Sequence, residues 1–424
     1  MLTLKLLREN PDFVIERLSV KNFDAKKIVR EILEADEKRR ESQKKLDAVL
    51  AEQNKKSKEI GTLLKSGRKQ EAESVKSEVA SLKEQSGILA GEMEKEKSAM
   101  MDKLVLLPNI PCKEVPEGKD SNDNVVVREG GQIPNLCEKA KPHWELAKSL
   151  DIIDFDLGVK ITGAGFPVYK GKGARLQRSL ISFFLDRNIK AGYLEIQPPL
   201  VVNEESAFAT GQLPDKSEQM YYIGLDKLYM IPTAEVPVTN VYRDRILEKS
   251  EFPIKMTAYT QCFRREAGSY GKDVRGLNRL HQFDKVEIVQ ITLPGNSYLA
   301  LDTMVKHVES LVQALELPYR IVRLCGGDLS FTSAITYDFE VFSAAQKRWL
   351  EVSSVSNFET YQANRLKVRF KDDDGKTQLA HTLNGSALAL PRIVAALLEN
   401  NQTPDGKILI PKALQEYAGF SVID

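Results

Sequence analysis

The stretch between residues 26 and 103 constrains the fold of this chain more than any other part. It contains no proline and no tryptophan, and its commonest residues are Lys, Glu, Ser, Ala and Leu, which is the composition of long helices. In its second half, one stripe advances in alternating steps of three and four residues, and seven of its nine members are apolar: Ala72, Val75, Val79, Leu82, Ser86, Leu89, Met93, Glu96 and Met100. This periodicity predicts a coiled-coil seam.

The first half of the stretch continues the same register with more polar members. The stripe there comprises Val29, Ile32, Asp36, Arg39, Gln43, Leu46, Leu50, Gln53, Ser57, Ile60 and Leu64. Between the halves, Lys65-Ser66-Gly67-Arg68 predicts a turn, since glycine tolerates the left-handed conformation that ends many helices. We therefore predict an antiparallel helical hairpin whose arms of ~40 residues each reach ~60 Å, at ~1.5 Å per residue.

The two predicted helices differ in charge. From Lys26 to Lys65 there are twelve basic and eight acidic residues, a net charge of +4, and from Glu71 to Lys103 five basic and eight acidic ones, a net charge of −3. The whole chain carries only +1, so a nucleic-acid partner would have to meet a local patch. A charged helical hairpin is more often a solvated spacer or a dimerisation element, and the basic clusters of the first helix keep RNA binding open as the alternative.

A length of 424 residues predicts two or three domains. The segment Leu107-Pro108-Asn109-Ile110-Pro111 ends the hairpin, which predicts domains at residues 1–106 and 107–424. Beyond it, strand-like runs mix with helices without a βαβ alternation, so we expect an α+β fold with helices flanking a mainly antiparallel sheet. The sequence has neither the GxxxxGK[ST] phosphate loop nor the GxGxxG dinucleotide motif, so a bound nucleotide would need another scaffold.

Cysteine spacing and hydropathy bear on the compartment. The four cysteines, at positions 112, 137, 262 and 325, form no CxxC pair, which argues against a thiolate zinc site and a disulfide scaffold. Charged residues interrupt the N-terminal segment, and no run approaches the ~20 apolar residues of a membrane span. These features predict a protein of the reducing cytoplasm without a membrane segment.

A second informative stretch, FRREAGSYGKDVRGLNRLHQFDKVE, runs from Phe263 to Glu287. Its ends have strand-forming residues and its middle has the loop glycines Gly268, Gly271 and Gly276, which predicts a strand, a long loop and an antiparallel strand. Cross-strand neighbours share a face, so a cation and two carboxylates would lie on one surface, and arginine forks suit phosphate oxygens. The residues concerned are Arg264, Arg265, Arg275 and Arg279 with Glu266 and Glu287.

Four further stretches carry polar groups in suggestive positions. Helical spacing from Ala174 to Lys190 leads into a strand ending in two prolines, and Thr233 and Glu235 follow an apolar run. In EVSSVSN, strand alternation places Glu351 and Ser353 on one face unless a β-bulge intervenes. The segment TLNGS then precedes a helix whose first turn holds Pro391 and Arg392. Each of these features by itself is commonplace in structural roles.

In this order, however, the helix–strand–proline segment, FRxE with FDKVE, and NGSxxAxxR resemble the three signature motifs of class II aminoacyl-tRNA synthetases. Four longer segments are similar to bacterial seryl-tRNA synthetases, and the resemblance covers essentially the whole chain. These segments are TGAGFPVYKGKGARLQRSL (162–180), IPTAEVP (231–237), EAGSYGKDVRGL (266–277) and HTLNGSALALPR (381–392). Two positions depart from many relatives: Pro391, where glycine is frequent, and Arg265, where a small residue is frequent.

The resemblance implies a cytoplasmic, homodimeric serine–tRNA ligase that uses ATP and Mg²⁺. It implies that L-serine and ATP form seryl-adenylate and that serine then passes to the 3′-terminal adenosine of tRNA(Ser), with tRNA(Sec) left open as a second acceptor. The hairpin would be the tRNA-binding arm. The cations implied in RNA contacts there are Arg30, Lys38, Arg39, Lys45, Lys55 and Lys56.

The same resemblance implies roles for individual side chains. Arg264 would hold the α-phosphate, Glu266 the adenine amino group, and Phe283 and Arg392 the two adenine faces, with Arg264 and Arg392 as the catalytic pair; Arg275 would reach the terminal phosphates. The implied ATP-binding set is Arg264, Arg265, Glu266, Arg275, Phe283, Glu351, Val352, Ser353, Ser354 and Arg392, of which Glu351 and Ser354 would hold Mg²⁺. The implied serine-binding set is Thr233, Ala234, Glu235, Arg264, Glu287 and Ser386.

Three alternatives stay open at this point. A class II synthetase-like ligase that acylates a non-tRNA carrier would lack the arm, and a coiled-coil interaction protein on an inactive synthetase fold would have lost motif residues such as Arg264. Other class II synthetases share the three motifs but not the Thr-Ala-Glu and Asn-Gly-Ser elements. The four histidines, at 143, 281, 307 and 381, have no metal-ligand spacing, so we interpret them as structural or surface residues.

Overall fold

The computed structural model describes residues 1–136, 140–267 and 275–424. The chain divides into two compact units. The smaller unit comprises Leu2–Ser19 and Phe23–Pro108, and the larger comprises Met1, Val20–Asn22 and Asn109–Asp424. Within the described ranges, no helix combines the length and the apolar character that a membrane span requires.

The elements are numbered in chain order. The helices of the described residues are α1 (Leu4–Glu9), α2 (Pro11–Ser19), α3 (Lys26–Lys65), α4 (Lys69–Leu104), α5 (His143–Ser149), α6 (Phe155–Ile161), α7 (Gly171–Lys190), α8 (Glu204–Thr210), α9 (Glu235–Asn240), α10 (Ser297–Ala314), α11 (Thr360–Leu366), α12 (Leu390–Asn400) and α13 (Lys412–Ala418). The strands are β1 (Val125–Gly130), β2 (Ile153–Asp154), β3 (Val168–Tyr169), β4 (Leu194–Glu195), β5 (Val201–Asn203), β6 (Tyr222–Ile223), β7 (Leu228–Met230), β8 (Ile246–Leu247), β9 (Ile254–Phe263), β10 (Gln282–Thr292), β11 (Tyr319–Arg323), β12 (Ile335–Ser343), β13 (Arg348–Glu359), β14 (Arg369–Lys371), β15 (Thr377–Leu379), β16 (His381–Ala389), β17 (Ile408–Leu409) and β18 (Val422–Ile423).

The smaller unit is dominated by the predicted helical hairpin. α3 and α4 pack along each other and are joined at Ser66-Gly67-Arg68, where Gly67 takes the left-handed conformation with φ +79°. All nine members of the predicted stripe on α4 lie at least half-buried, so the seam on this helix is confirmed. Two short helices, α1 and α2, precede the hairpin.

The predicted register of α3 is wrong at three positions beyond Leu46. Leu50 and Leu64 are 40% and 47% exposed and Ser57 is also exposed, whereas Leu63 is buried. Val49, Lys56 and Leu63 take those three places in the seam, and the predicted members Gln53 and Ile60 are half-buried as expected. An extra three-residue step after Leu46 shifts the stripe, which overwinds the helix locally. The charge of Lys56 is accommodated because it pairs with Glu78 of α4.

The larger unit is built on one eight-stranded sheet, with strand order β1-β11-β12-β13-β16-β10-β9-β4. Every neighbouring pair is antiparallel except β4 and β9, which confirms the predicted mainly antiparallel sheet. Apolar side chains of α7, α10 and α12 form the main core with one face of this sheet. The apolar alternation along each strand supplies the sheet's half of that core.

The opposite face of the three central strands is polar. Val286 and Ile288 of β10, for example, belong to the core, while the residues between and beside them point the other way. Side chains from the three strands line one cavity together: Lys285 and Glu287 from β10, Asn384 and Ser386 from β16, and Ser354 and Ser356 from β13. The strand period of two therefore places a polar surface in the middle of an otherwise apolar unit.

Candidate active site

Two adjoining cavities open over this polar face. The first has a volume of about 180 Å³ and the second of about 380 Å³. Their common wall is formed by six charged or polar residues: Arg264, Glu266, Arg279, Lys285, Glu351 and Ser386. The predicted β9–β10 pairing is confirmed, with Gln282 opposite Phe263 and Glu287 opposite Ala258, and it brings Arg264, Glu266 and Glu287 to the second cavity.

A buried charged cluster lies at the floor of the second cavity. The Lys285 ammonium lies 2.6 Å from the Glu287 carboxylate and donates a hydrogen bond of 2.8 Å to the Thr233 hydroxyl. Both charged side chains are buried, so each compensates the cost of removing the other from water. The pair is not isolated, because Thr233 also lies 3.3 Å from the Glu287 carboxylate.

Glu235 adds a second buried carboxylate to this floor. It begins α9, and its backbone N–H donates to the Thr233 hydroxyl at 3.2 Å. Burial and the neighbouring Glu287 carboxylate raise the pKa of Glu235, while a hydrogen bond from Gln362 and the ammonium groups of Lys216 and Lys285 oppose that shift. The two carboxylates share the buried Lys285 ammonium, and a small ligand that brings an ammonium group of its own would compensate the buried carboxylate charge further.

The first cavity has an aromatic and a guanidinium wall. The Arg264 guanidinium lies 5.2 Å from the centre of the Phe283 ring, and its Nε donates to the Pro232 carbonyl at 3.3 Å. Arg392, in the first turn of α12, donates to the Asn278 carbonyl at 2.9 Å and to the Glu351 carbonyl at 2.7 Å. Since backbone carbonyls hold both guanidinium groups, they are oriented before any ligand arrives.

Strand β13 contains a β-bulge, which the sequence pattern allowed but did not predict. Glu351 pairs with Glu340 and Ser353 with Phe339, so one residue is inserted at Val352. Glu351 and Ser354 thereby line the same cavity, while the buried Ser353 donates its hydroxyl to the Ser386 carbonyl at 2.5 Å. The bulge thus assembles a carboxylate and a hydroxyl that strict alternation would place on opposite faces.

Asp338 lies beside this pair of oxygen groups on the neighbouring strand. It is directly opposite Ser354 on β12, and its Oδ1 atom is buried without a hydrogen-bond partner among the described residues. Burial and the Glu351 carboxylate raise the pKa of Asp338 well above its ordinary value. No group of three or more His, Cys, Asp and Glu residues arranged for a metal occurs in the described ranges.

Most of the predicted site residues are brought together. Those that line the two cavities are Thr233, Glu235, Arg264, Glu266, Phe283, Glu287, Glu351, Val352, Ser353, Ser354, Ser386 and Arg392. Glu266 has a left-handed backbone, with φ +49°, and its carboxylate pairs with Arg279.

Three predicted residues do not line either cavity. Ala234 is buried in an apolar cluster. Arg265 is exposed, and its backbone N–H donates to the Gln219 carbonyl at 2.9 Å. Arg275 is exposed and lies 4.6 Å from the centre of the Trp144 ring. The loop glycines Gly268 and Gly271 lie outside the described residues.

The sequence reading missed several residues of the site. Lys285 carried a usable signal, because it stands two positions before Glu287 on a strand and therefore shares its face. Gln362 carried none, since it lies 127 residues from the glutamate it contacts. Nor did His143 carry any, since it accepts a hydrogen bond of 2.8 Å from the backbone N–H of Leu277, 134 residues away.

His143 fixes one end of the first cavity. Because its Nε2 accepts from Leu277, the ring proton is on Nδ1, which donates to the buried Glu399 carboxylate at 2.7 Å. Gly276 has φ +66° and leaves no room for a side chain, since a Cβ there would lie 2.2 Å from the His143 ring. His143 is therefore a structural residue, as interpreted from the sequence. It holds Leu277, which lines the first cavity, in place.

The cations predicted to contact RNA lie on α3 of the smaller unit. Arg30, Lys38, Lys45 and Lys55 are exposed. Arg39 instead pairs with the buried Asp36 at 2.9 Å, and Lys56 pairs with Glu78.

Comparisons with known proteins agree with these observations. The family model described as the seryl-tRNA synthetase N-terminal domain matches residues 1–111, and the one described as the tRNA synthetase class II core domain (G, H, P, S and T) matches residues 223–401. A serine–tRNA ligase of Salinibacter ruber is 52% identical over 425 residues, covering 100% of this chain and 99% of that protein.

Solved structures give the same result. The seryl-tRNA synthetase from Pyrococcus horikoshii, complexed with ATP, is 35% identical with a TM-score of 0.92, covering 100% of this chain and 99% of that one. M. kandleri SerRS, solved in complex with A. aeolicus tRNASec, is 19% identical with a TM-score of 0.58 over 82% of this chain and 69% of that one, which is a likeness of fold alone.

Proposed function

This chain belongs to the seryl-tRNA synthetase family and ligates serine to tRNA, and we propose that the two adjoining cavities bind ATP and L-serine. The observation that carries this assignment is the buried floor of Thr233, Glu235, Lys285 and Glu287 beside the wall that contains Arg264. Such a floor suits the ammonium end of a small zwitterion such as serine. The wall common to both cavities then places serine next to ATP in the first cavity.

In the second cavity, Glu235 and Glu287 take the ammonium group of serine, and Thr233 and Ser386 supply hydroxyl contacts. An alanine in this position would leave buried polar groups unpaired, which penalises it strongly because those groups have already lost water. Lys285 neutralises one of the two carboxylates, so the empty site folds without two uncompensated buried charges.

In the first cavity, the adenine ring lies between Phe283 and Arg392. A guanidinium plane and an aromatic ring both suit a base, by stacking and cation–π attraction. Glu266 accepts from the adenine amino group with the oxygen that Arg279 leaves available. The Arg275 guanidinium lies over the Trp144 ring in this structure. When ATP binds, it turns toward the terminal phosphates.

The activation step needs positioning and charge neutralisation. A serine carboxylate oxygen attacks the α-phosphorus, a new P–O bond forms, and the bond from that phosphorus to the bridging oxygen breaks to release pyrophosphate. Arg264 lies on the wall common to both cavities, so one guanidinium contacts the carboxylate and the α-phosphate during the attack. No protein base is required, because the nucleophile is already an anion.

Mg²⁺ fits the oxygen groups of β13 and β12. Glu351 and Ser354 line one cavity, and Oδ1 of Asp338 on the neighbouring strand, which has no hydrogen-bond partner among the described residues, adds a third oxygen that a cation could satisfy. Protein oxygens with phosphate oxygens and water are the ligands that Mg²⁺ takes in nucleotide sites. Bound there, the ion would neutralise phosphate charge as pyrophosphate leaves.

In the second step, the 3′-terminal adenosine hydroxyl attacks the acyl carbon and AMP leaves. We assign residues 1–106 to the tRNA-binding arm and residues 107–424 to the catalytic domain. The exposed cations Arg30, Lys38, Lys45 and Lys55 contact RNA phosphates, because A-form RNA is recognised mainly through its shape and backbone. Arg39 and Lys56 take a smaller part, since each already has a carboxylate partner.

The proposal includes a cytoplasmic homodimer. β4 lies at an edge of the main sheet, and its Leu194 is 64% exposed, which supports pairing of this edge with a second copy. The widely spaced cysteines support a reducing compartment. Charging of tRNA(Sec) stays a prediction, since the neighbour solved with tRNASec supports only the fold.

Serine-dependent exchange of pyrophosphate into ATP tests the cavity assignment. Exchange should occur with serine, fall by at least about a hundredfold with alanine, and be lost on Glu287→Gln. Normal exchange in Glu287→Gln would refute the serine site without touching the family assignment.

The arm assignment is tested by aminoacylation of tRNA(Ser). A variant with Lys38, Lys45 and Lys55 changed to Glu should show a raised KM for tRNA and a weaker salt dependence, with pyrophosphate exchange unchanged. The matched control changes three exposed lysines of α4 to Glu, namely Lys69, Lys83 and Lys95. Equal effects of the two triple variants would contradict a specific role for α3.

A further inference from the structure

Gln362 lies behind the serine cavity. It is on α11, the short helix that follows β13, and only 1% of its surface is exposed. It does not line either cavity, and no motif in the sequence singles it out. Its amide group nevertheless contacts Glu235, one of the two carboxylates assigned to the substrate's ammonium group.

Three hydrogen bonds determine the orientation of the Gln362 amide. Its Nε2 donates to the Thr210 backbone carbonyl at 3.1 Å, and its Oε1 accepts from the Thr382 hydroxyl at 2.7 Å. A carbonyl can only accept, so the nitrogen must be on the Thr210 side. The remaining N–H of that nitrogen therefore donates to Oε1 of Glu235, at 2.6 Å.

This donor acts on a carboxylate under opposing influences. Burial and Glu287 favour the protonated, neutral form of Glu235, while Lys216 and Lys285 favour the ionised form. An amide N–H that has nothing else to contact favours the ionised form as well, because it can donate to a carboxylate but cannot accept from a carboxylic acid. It also occupies Oε1, which leaves Oε2 to act in the cavity that Glu235 lines.

We infer that Gln362 is a positioning residue for serine recognition, held in place by Thr382, which keeps the Glu235 carboxylate ionised and turned toward the substrate's ammonium group. The inference rests on the proposed serine site. It adds a polar relay of two residues, both buried, that reaches the substrate only through Glu235.

Gln362→Met tests the inference, because methionine keeps the length of the side chain and removes both polar groups. Exchange kinetics are measured between pH 6 and pH 8.5, with serine and ATP varied separately. The KM for serine should rise about threefold at pH 6 and recover by pH 8.5, as expected if the variant's Glu235 is about two-thirds protonated at pH 6 while the parent's stays ionised. The KM for ATP should change less than twofold.

The matched control is Gln290→Met. Gln290 is equally buried and donates to the Tyr193 hydroxyl at 2.7 Å instead of to a carboxylate. It should leave the pH profile of the serine KM unchanged. Thr382→Val should reproduce the Gln362→Met profile in weaker form, and Thr382→Ser, which keeps the hydroxyl, should restore the parent profile. The Thr382 pair also serves if Gln362→Met does not fold.

Two outcomes separate failure of this inference from failure of the serine site. Glu235→Gln should abolish serine-dependent exchange, and a normal KM for serine in that variant would overturn the serine-site assignment itself. If Glu235→Gln is impaired but Gln362→Met and Thr382→Val raise the KM for serine equally at all pH values, or not at all, the relay is purely structural and the inference is wrong.

Discussion

Leu63 and Leu64 are adjacent on α3, and the structure and the sequence periodicity assign them opposite roles. The predicted heptad register buries Leu64, whereas in the structure Leu63 is 8% exposed and Leu64 is 47% exposed. We predict that Leu63→Ala destabilises the arm and that Leu64→Ala does not. Because the same substitution is made at neighbouring positions in one helix, differences in helix propensity cancel.

The expected size of the effect follows from burial. Truncating a buried leucine to alanine costs about 2–5 kcal/mol, and the low end applies where the surroundings can collapse, as at the tip of a two-helix hairpin. We therefore expect about 2 kcal/mol for Leu63→Ala. Leu64 already has half of its surface in water and should cost no more than about 0.5 kcal/mol, as for other surface changes.

Native-state amide hydrogen exchange in the full-length protein measures this difference locally. A loss of about 2 kcal/mol accelerates exchange by about thirtyfold in the last turns of α3 and the first turns of α4, if exchange proceeds through local opening. Exchange in the strands of the main sheet serves as the internal reference. Equal acceleration by the two variants, or a larger effect of Leu64→Ala, would refute the shifted register.

Three further predictions concern the larger unit. Arg264→Ala should lower serine-dependent pyrophosphate exchange by at least about a hundredfold while the proposed dimerisation, measured by light scattering, is unchanged; a near-normal exchange rate would contradict the α-phosphate assignment. Burial raises the pKa of Glu235 above the ordinary carboxyl value of about 4.3, so ionising this carboxyl group as pH rises lowers the stability of the parent protein. Glu235→Gln removes this loss and should therefore raise the melting temperature more at pH 8 than at pH 5. If the melting temperatures of the variant and the parent protein differed equally at both pH values, ionisation of Glu235 would not destabilise the parent protein. His143→Leu leaves the Leu277 N–H unpaired and removes one of the hydrogen bonds to the buried Glu399 carboxylate, so urea unfolding should show a loss of about 1–3 kcal/mol and exchange kinetics a raised KM for ATP; loss of stability alone would limit His143 to a packing role.

Several parts of the fold could be predicted because their signal is local. The turn at Gly67, the stripe of α4 and the alternation along β9 and β10 each arise from neighbouring residues, whose periods of 3.5 and 2 the sequence displays directly. The same holds for Lys285, which stands two positions before Glu287 and therefore shares its strand face.

Other features could not be predicted because the local sequence is compatible with more than one register or strand pairing. Both registers of α3 offer apolar residues near its end, and only packing against α4 decides that Leu63 is buried and Leu64 exposed. In β13, alternation alone would separate Glu351 from Ser354, and only the pairing with β12 reveals the inserted residue at Val352.

The sequence by itself determined the helical arm, the mainly antiparallel sheet and, through four motif segments, the family and the membership of most of the site. Only the tertiary structure decided how that site is held together. The contacts of Gln362 with Glu235 and of His143 with Leu277 join residues 127 and 134 positions apart. Such contacts leave no periodic trace in the sequence, because they form only when the sheet and its helices pack and remove both partners from water.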